Sequence, residues 1–331
     1  MNIAIIYSLP TRRALQSPYI ITDEDTKESA EEVAEALIQK GVRVDLVGIS
    51  EDSIDRIGTI SADVIFNLLE WDGMDGLILV RAMEVLDKTR IPYTGSSKDA
   101  LEVCNDKSRM KASLDRFGLP TPRWQEFTTG KEVVREDLVY PVIVKLGLQH
   151  CSVGLTKDAV VTHPHELTNV VKDRIETFTQ TVYAEEFIVG REFQVTLIER
   201  KQGLAVLPPA EILFTTKGTG AFLTYGSRWD ETHADYKESS VGLAVLSTSL
   251  MEKINRISQR AFKDLGFADY SRLDIRTRDD EVFILEANAN PGLGDSDDYG
   301  MTVSYKAAGM TFADFIREIV ESCLRRSTSV R

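Results

Sequence analysis

Ser271-Arg272-Leu273-Asp274-Ile275-Arg276 and Leu285-Glu286-Ala287-Asn288-Ala289-Asn290-Pro291-Gly292 are the two runs of sequence that decide the fold. In both runs apolar residues alternate with polar ones, which is the pattern of a β-strand with one buried face. The segment between them, Arg278-Asp279-Asp280-Glu281, is typical of a turn. The pattern therefore predicts a β-hairpin whose apolar face packs into a core through Leu273, Ile275, Phe283 and Leu285.

Centring the hairpin on Asp280 determines which side chains face each other. In this register Asp274 stands opposite Glu286, and Arg272 stands opposite Asn288. Opposed side chains on antiparallel strands lie roughly 4.5 to 5.5 Å apart, and two carboxylates there repel each other unless a cation intervenes. Carboxylate and amide oxygens suit Mg²⁺ or Mn²⁺ and make a poor zinc site. A hairpin whose charges face water explains the same pattern, so other parts of the chain must decide.

The overall composition excludes several classes of protein. A chain of 331 residues exceeds one ordinary core and suits two or three domains. Its net charge of -13 argues against a nucleic-acid-binding surface, because neutralising phosphates requires a clustered basic face. The sequence contains neither an apolar run of about 20 residues nor a basic segment ahead of its first strand, so we expect no membrane span and no signal peptide. Three distant cysteines predict neither disulfides nor a zinc cluster, which favours a cytoplasmic setting: Cys104, Cys151 and Cys323.

Short apolar runs alternate with segments of helical periodicity in the first 100 residues. The predicted strands are Ile3–Tyr7, Val42–Val47, Val64–Asn67 and Ile91–Thr94, and the predicted helices are Ser29–Gln39 and Leu77–Leu86. This alternation predicts a parallel α/β sheet, in which ligands collect at the carboxyl ends of the strands. The loop 8–22 after the first strand is unusually long and polar. Helix capping is the simplest explanation of the acidic residues that follow this loop: Glu24, Asp25 and Glu28.

Lys145 closes a buried strand, Tyr140–Lys145, and is followed by the loop Gly147–Gly154. Loop N–H groups and an ammonium group both favour an anion, so a phosphate site is one interpretation and a plain turn is the other. Asn105-Asp106-Lys107 opens a predicted helix that ends at Gly118-Leu119-Pro120.

The second half of the chain contains a long polar stretch, 214–237, that is predicted to form a loop over a site. Its segment Thr215–Gly220 resembles a phosphate loop only superficially, because the flanking strand and helix are missing. Helical periodicity then predicts two long helices, Val241–Leu265 and Ser304–Leu324.

Short motifs follow one another in a fixed order along nearly the entire chain. They are Ile3-Ala4-Ile5-Ile6, Phe66-Asn67, Ile91-Pro92-Tyr93-Thr94-Gly95-Ser96, Asp106-Lys107, Val144-Lys145, Ser152-Val153-Gly154, Glu185-Glu186-Phe187-Ile188, Gly190-Arg191-Glu192, Glu286-Ala287-Asn288 and Asn290-Pro291-Gly292. Together their order and spacing resemble the ATP-grasp superfamily and, within it, the D-alanine–D-alanine ligases. The resemblance implies an α/β protein of ATP-grasp architecture. A parallel α/β domain (1–100) would precede two α+β subdomains (101–188 and 189–331) that clasp ATP, and the last would carry the metal and substrate site.

The resemblance implies a role in ATP binding for several positions. Lys107 and Lys145 are similar to the two lysines that hold the ATP phosphates. Ser152, Val153 and Gly154 are similar to the loop that covers these phosphates. Glu192 is similar to the carboxylate that accepts the ribose hydroxyls. The connection whose main chain meets adenine corresponds to Glu185, Glu186, Phe187 and Ile188.

The hairpin residues acquire roles in the same way. Asp274, Glu286 and Asn288 correspond to the family's Mg²⁺ or Mn²⁺ ligands, in agreement with the predicted register. Arg272 is similar to the arginine that stabilises the oxyanion of the tetrahedral intermediate, and Gly292 would lie near the carboxylate of the incoming amino acid. The implied chemistry is activation of a carboxylate by ATP as an acyl phosphate, followed by attack of an amine.

Departures from the family pattern concentrate at the amino-acid end of the site. Glu70 stands where the ligases have a histidine, and Glu186 stands where they have a lysine near adenine. Arg228-Trp229 replaces their lysine and tyrosine over the phosphates, which keeps the charge but not its geometry. Glu24 does align with the glutamate that holds the ammonium group of the first substrate.

Three functions are compatible with this pattern. The first is a D-alanine–D-alanine ligase or a close relative that joins two small amino acids, an activity of peptidoglycan biosynthesis. The second is an ATP-grasp ligase for another carboxylate and amine, for which Glu70 is the distinguishing feature. The third is a catalytically silent nucleotide-binding regulator, which has no chemical need for the full set of site residues. We expect small-molecule substrates, no nucleic-acid or membrane partner, and the homodimer usual for the family.

Overall fold

The computed structural model describes residues 1–71 and 75–329, without the side chains of residues 22–24, 237 and 329. The first part of the chain forms a parallel sheet in the order β2-β1-β3. Its elements are β1 (Asn2–Ser8), α1 (Ile21–Gln39), β2 (Arg43–Ile49), β3 (Val64–Leu68) and α2 (Gly76–Thr89). The predicted strand Ile91–Thr94 contributes only one parallel bridge, between Ile65 and Tyr93. Helix α1 begins at Ile21 rather than at the predicted Ser29.

The middle part of the chain forms a four-stranded sheet in the order β4-β7-β5-β6, with antiparallel neighbours. Its elements are α3 (Lys98–Asn105), α4 (Lys107–Arg116), β4 (Trp124–Phe127), β5 (Val142–Leu146), β6 (Val160–Val161), α5 (Pro164–Phe178) and β7 (Val182–Glu186). The Asp106 side chain caps α4 by accepting from the Arg109 N–H, so this helix begins where the sequence predicts. Gly118, with φ at 60°, follows its last turn.

The last part of the chain forms a larger antiparallel sheet in the order β11-β10-β8-β12-β13, with β9 paired to β8. Its elements are β8 (Arg191–Arg200), β9 (Gly203–Val206), β10 (Ala210–Phe214), α6 (Tyr225–Trp229), β11 (Ser239–Leu243), α7 (Thr248–Asp264), β12 (Tyr270–Arg278), β13 (Glu281–Asn288), α8 (Gly300–Ala307) and α9 (Phe312–Ser329). Gly190 lies where β7 passes to β8, and a Cβ there would stand 1.7 Å from the Thr277 carbonyl oxygen. Only glycine permits this close approach to β12.

Two predicted helices have different bounds in the structure. Val241 lies in strand β11, opposite Ile212, and α7 begins only after Ser247 caps it by accepting from the Leu250 N–H. The predicted helix Ser304–Leu324 is divided into α8 and α9. The division falls at Gly309, whose φ of 76° ends the first helix.

The hairpin of β12 and β13 has the predicted register at one end only. Arg272 pairs with Asn288 and Asp274 pairs with Glu286, which confirms the prediction. Nearer the turn Ile275 pairs with Ile284, because a β-bulge inserts Leu285 into β13. The turn is therefore centred between Asp279 and Asp280 rather than on Asp280. The extra residue Leu285 compensates for this offset, so the pairs farther from the turn have the predicted register.

The bulge also explains why the predicted core of the hairpin is half wrong. Leu273 and Ile275 are fully buried, as predicted, but Phe283 and Leu285 are only partly buried. A shift of one residue moves side chains to the other face of a strand. Ile284 therefore fills the core on the turn side of the bulge, and Leu285 joins the face that carries Glu286.

Buried polar contacts fasten the N-terminal sheet to the C-terminal part of the chain. The fully buried Asp269 accepts hydrogen bonds from the Gly95 N–H and from Arg326, both at 2.8 Å. The Ser96 N–H donates to the Asn290 side-chain oxygen at 2.8 Å. These contacts place the end of β13 beside the carboxyl ends of the parallel strands. Within the described residues, no helix combines the length and apolar character needed to cross a lipid bilayer.

Candidate active site

One cavity of about 740 Å³ collects the predicted site residues. The side chain of Glu24 lies outside the described part of the chain, and its neighbour Asp25 lines the cavity. The following predicted residues line the same cavity: Glu70, Lys107, Lys145, Ser152, Val153, Gly154, Glu185, Glu186, Phe187, Ile188, Glu192, Arg228, Arg272, Asp274, Glu286, Asn288 and Gly292. Residues from distant parts of the sequence therefore converge on one space large enough for a nucleotide and small substrates.

Glu185 is a buried carboxylate held between two lysines. Its Oε1 accepts from Lys145 at 2.7 Å, and its Oε2 forms an ion pair with the Lys111 ammonium group at 2.6 Å. Burial raises the pKa of Glu185, but the two ammonium groups outweigh burial and hold it below its usual range. For Lys145, burial lowers the pKa, and the Glu185 carboxylate reverses the effect and raises it. Both charges therefore persist at neutral pH, with Lys145 at the cavity wall.

Lys111 is the member of this group that the sequence analysis missed. It is fully buried, and it also donates to the Thr121 hydroxyl at 2.8 Å and to the Ile284 carbonyl at 3.2 Å. Helix α4 presents Lys107 and Lys111 on one face, because residues four apart are neighbours on a helix. This spacing from Lys107 was the available signal.

Glu286 lies against a lysine and a histidine on the cavity wall. Lys107 donates to its Oε1, and the His150 Nδ1 lies 3.1 Å from the same oxygen. Burial raises the pKa of Glu286, but Lys107 and His150 hold it well below its usual range. Lys107 is itself buried, so the pair is fixed in place. His150 lies in the loop Gly147–Gly154, and the sequence predicted no role for this residue.

Arg272, Asp274 and Asn288 form a row on the cavity face of the hairpin. Arg272 donates to both oxygens of Asp274, at 2.8 and 3.0 Å, in a two-point contact. The Asn288 amide nitrogen lies 3.4 Å from one of these oxygens. Residues two apart on a strand share a face, which is why Arg272 and Asp274 stand side by side.

The side chains of Asp274, Glu286 and Asn288 offer the kind of ligands that a hard divalent cation binds. Two opposed carboxylates and an amide oxygen supply oxygen ligands, the kind that Mg²⁺ prefers. Each carboxylate is engaged by a protein cation, Asp274 by Arg272 and Glu286 by Lys107. Over the described ranges 1–71 and 75–329, no cluster of three His, Cys, Asp or Glu side chains is arranged to hold a metal. A cation held by Asp274, Glu286 and Asn288 would therefore also need oxygens from its substrates.

Arginine–carboxylate pairs stand at the far end of the cavity. Glu192 accepts from Arg276 at 2.7 and 2.8 Å, and Glu186 accepts from Arg278 at 2.6 Å. Arg276 is 3% exposed and had no role in the sequence analysis. It continues the alternation of Arg272 and Asp274 along β12, and this period of two was the signal that pointed to it.

Two segments lie over the cavity and contact each other. Cys151 and Ser152 both have positive φ, at 55° and 60°, in a tight loop after β5. The Trp229 indole nitrogen donates to the Cys151 carbonyl at 2.9 Å, and the Tyr225 N–H donates to the Leu155 carbonyl at 3.0 Å. The predicted loop 214–237 thus includes helix α6, which fastens it to the loop 150–155.

A model of the D-ala D-ala ligase C-terminus matches residues 114–321. The chain belongs to the D-alanine–D-alanine ligase family. It is 27% identical over 303 residues to a D-alanine–D-alanine ligase of Desulforudis audaxviator. The aligned region covers 90% of this chain and 93% of that protein. Its fold matches a D-alanine–D-alanine ligase of Bacillus anthracis complexed with ATP, with a TM-score of 0.75, 20% identity and full coverage of both chains. It also matches the VanG D-Ala:D-Ser ligase of Enterococcus faecalis, with a TM-score of 0.73, 19% identity and coverage of 97% and 99%.

Membership of the D-alanine–D-alanine ligase family confirms the predicted ATP-grasp fold and the prediction of an ATP-dependent ligase. The matched residues 114–321 include the hairpin and Lys145. They exclude Lys107 as well as Glu24 and Glu70, which all precede residue 114. The acidic residues that line the cavity from the N-terminal part of the chain, Asp25 and Glu70, therefore lie outside the matched segment.

Proposed function

We propose that this ligase joins two small amino acids by a peptide bond, with D-alanine as the reference substrate. One observation carries the proposal: Lys107, Lys145, Arg272, Asp274 and Glu286 converge on the wall of a single cavity. Phosphoryl transfer and acyl transfer require charge neutralisation and positioning more than a covalent catalyst. This set of residues supplies both.

The nucleotide would lie along the two lysines and the far arginine–carboxylate pairs. Lys107 and Lys145 would contact the phosphates, and Ser152, Val153 and Gly154 would cover them. Glu192 would accept a ribose hydroxyl. The main chain from Glu185 to Ile188 would border adenine, while the Glu185 side chain keeps Lys145 charged and fixed.

Asp274, Glu286 and Asn288 would hold Mg²⁺ or Mn²⁺ at the end of the phosphates. When bound, such an ion neutralises developing negative charge on the transferred phosphoryl group. The low pKa of Glu286 keeps this ligand ionised at neutral pH. Lys107 and His150 both contact Oε1 of Glu286, so neither of them uses Oε2, the oxygen that would contact the cation.

The reaction would proceed in two steps on the donor carboxylate. A carboxylate oxygen of the donor bonds to the γ-phosphorus, the bond to the β–γ bridging oxygen breaks, and ADP leaves. The amine of the acceptor then bonds to the acyl carbon, loses its proton, and inorganic phosphate departs. Arg272 would stabilise the oxyanion formed in this second step, because its guanidinium is already held in place by Asp274.

The donor end of the cavity favours an amino acid with a free ammonium group. Glu70 and Asp25 line this end, and Glu24 precedes Asp25 in α1. An ammonium held by a carboxylate is among the stronger polar contacts of a site. Gly292 would lie near the carboxylate of the acceptor. The acidity that Glu70 adds supports a second candidate, a ligase for a donor more cationic than alanine.

Turnover measured against a panel of amino acids of both chiralities tests this proposal. ADP release and dipeptide mass would be recorded with ATP and Mg²⁺, singly and in pairs, with chelator as the metal control. N-acetyl-D-alanine serves as the matched donor control, and it should give no product. ADP release without any dipeptide across the panel would contradict the proposed ligation of amino acids. We also propose a homodimer, which light scattering of the purified protein would test.

A further inference from the structure

Arg276 connects three parts of the nucleotide end. Its Nε and Nη2 donate to one oxygen of Glu192, Oε2, at 2.8 and 2.7 Å. Its Nη1 donates to the Ile188 carbonyl at 2.9 Å, and Nη2 also donates to the Ala221 carbonyl. One side chain therefore holds the predicted ribose carboxylate, the connection beside adenine and the segment over the cavity.

The position of Arg276 makes these contacts rigid. It is 3% exposed, and its guanidinium stands 4.7 Å from the centre of the Phe187 ring. Arg276 on β12 is directly paired with Glu192 on β8, so the backbone ladder sets the distance between the two side chains. At least three of its five N–H groups already donate to protein oxygens, so most of its hydrogen-bonding capacity is used within the protein.

Glu192 is the group through which Arg276 can act. Both contacts to Glu192 use Oε2, so Oε1 is not engaged by Arg276. A carboxylate fixed in one rotamer loses little entropy when it accepts a further hydrogen bond. We propose that Arg276 is a positioning residue for ribose recognition, which orients Glu192 so that its second oxygen accepts a ribose hydroxyl. This inference rests on the proposed assignment of Glu192 to the ribose.

Binding of ATP and 2′-deoxyATP measures this role without any amino-acid substrate. Calorimetry with Mg²⁺ would give both dissociation constants for the full-length wild type, Arg276→Met, Glu192→Gln and the double variant. We expect Arg276→Met to weaken ATP about tenfold and 2′-deoxyATP clearly less, because only ATP offers the 2′-hydroxyl. The preference for ATP should then fall toward one. In the Glu192→Gln background, Arg276→Met should leave the remaining preference unchanged.

Matched variants separate positioning from folding. Arg191→Met removes the arginine that precedes Glu192 in β8, which pairs with Glu211 and does not line the cavity, and should keep the wild-type preference. Arg276→Lys retains the charge but not the fork and should give an intermediate preference. Arg276→Gln provides a second neutral variant if the methionine variant does not fold. Denaturant unfolding would show whether each variant is folded and how its stability compares with that of the wild type.

Two results are decisive in different ways. An equal loss for both nucleotides in Arg276→Met and Arg276→Gln, while Glu192→Gln lowers the preference, would overturn the inference and leave the ribose assignment intact. An unchanged preference in Glu192→Gln would instead show that Glu192 does not accept the 2′-hydroxyl of the ribose, and both this assignment and the inference would fall.

Discussion

The two ends of the cavity are built on different principles. At the proposed nucleotide end Lys145, Glu185 and Arg276 are held in buried or nearly buried pairs with short hydrogen bonds. At the amino-acid end Glu70 is exposed, although its backbone is fastened by the Ser8 hydroxyl, which donates to the Glu70 carbonyl at 2.7 Å. Gly292 there is exposed as well.

This difference teaches where the chain tolerates change. A buried charge pair fixes geometry but becomes costly when one partner is lost. An exposed carboxylate can be replaced with little effect on folding. Where such a carboxylate lines the substrate cavity, its replacement should mainly change which substrate is bound. Substitutions at the nucleotide end should therefore impair activity or stability strongly, and those at the amino-acid end should shift selectivity.

Glu286→Gln should have the largest effect. Ligation should fall about 1000-fold, because the proposed metal site loses an anionic ligand. The fold should persist with a loss of about 1 to 2 kcal/mol, since Lys107 loses its carboxylate. Mg²⁺-dependent ADP release and a melting curve test this. Near-normal turnover of this variant would show that the hairpin does not form the metal site.

Lys111→Met should destabilise the protein more than any exposed substitution. Removing one partner of the buried pair with Glu185 should cost about 3 kcal/mol of unfolding free energy. Lys27→Met is the matched control, because Lys27 forms an exposed pair with Glu31 and should change stability by less than about 0.5 kcal/mol. Urea unfolding of both variants measures the contrast. Similar midpoints would show that burial adds nothing to this pair.

Lys145→Ala should raise the KM for ATP by about 10-fold to 100-fold, because a phosphate contact is lost. Lys217→Ala should change it less than about twofold, since Lys217 is exposed in the segment that only resembles a phosphate loop. Steady-state kinetics at saturating amino acid compare the two. If Lys217→Ala raised the KM for ATP as much as Lys145→Ala or more, the phosphates would bind at the segment Thr215–Gly220 and the proposed phosphate site would be wrong.

The contribution of Glu286 to stability should depend on pH. Its pKa is lower in the folded state than in the unfolded chain, so the folded state binds fewer protons. The stabilisation is therefore complete above the unfolded value of about 4.3 and is lost as the pH falls through the folded value. Unfolding of wild type and Glu286→Gln at several pH values should show a stability gap that narrows below about pH 4. A gap independent of pH would contradict the assigned direction.

Glu70→His should produce the smallest effect, a rise of about threefold to tenfold in kcat/KM for D-alanine as donor relative to the best cationic donor. The reason is that the donor end becomes less acidic. Competition between two donors, followed by mass spectrometry, measures the ratio. If the wild type already uses D-alanine efficiently and the variant is unchanged, Glu70 does not face the donor and its role is structural.

Sequence patterns predicted most of the residues that line the cavity, and they predicted the pairing of Asp274 with Glu286. Asp274 and Glu286 were placed opposite each other because strand alternation is a strong local signal. The bulge at Leu285 was not predictable, since no glycine or proline marks it. The start of α7 was missed because the apolar period of β11 runs into that of the helix, and the division between α8 and α9 was missed although Gly309 marks it.

The charge partners were the other part that sequence did not supply. Glu185 was expected to contribute its main chain, whereas its side chain joins Lys111 and Lys145 from helix α4 and strand β5. Such pairs depend on how distant elements pack, and a single sequence contains no measure of that. Arg276 and Lys111 were nevertheless marked by period, two residues after Asp274 and four after Lys107.

The inserted Leu285 has a consequence for comparing chains by motif. Its removal would leave Asp274 facing Glu286, because the pair Ile275–Ile284 would then follow the pair Asp274–Glu286 without a bulge. The number of residues between the Arg-x-Asp and Glu-x-Asn motifs is therefore free to vary by one while the geometry of the carboxylates stays the same. A search pattern that demands a fixed interval would reject proteins with the same site, and one that allows a single-residue gap would retain them.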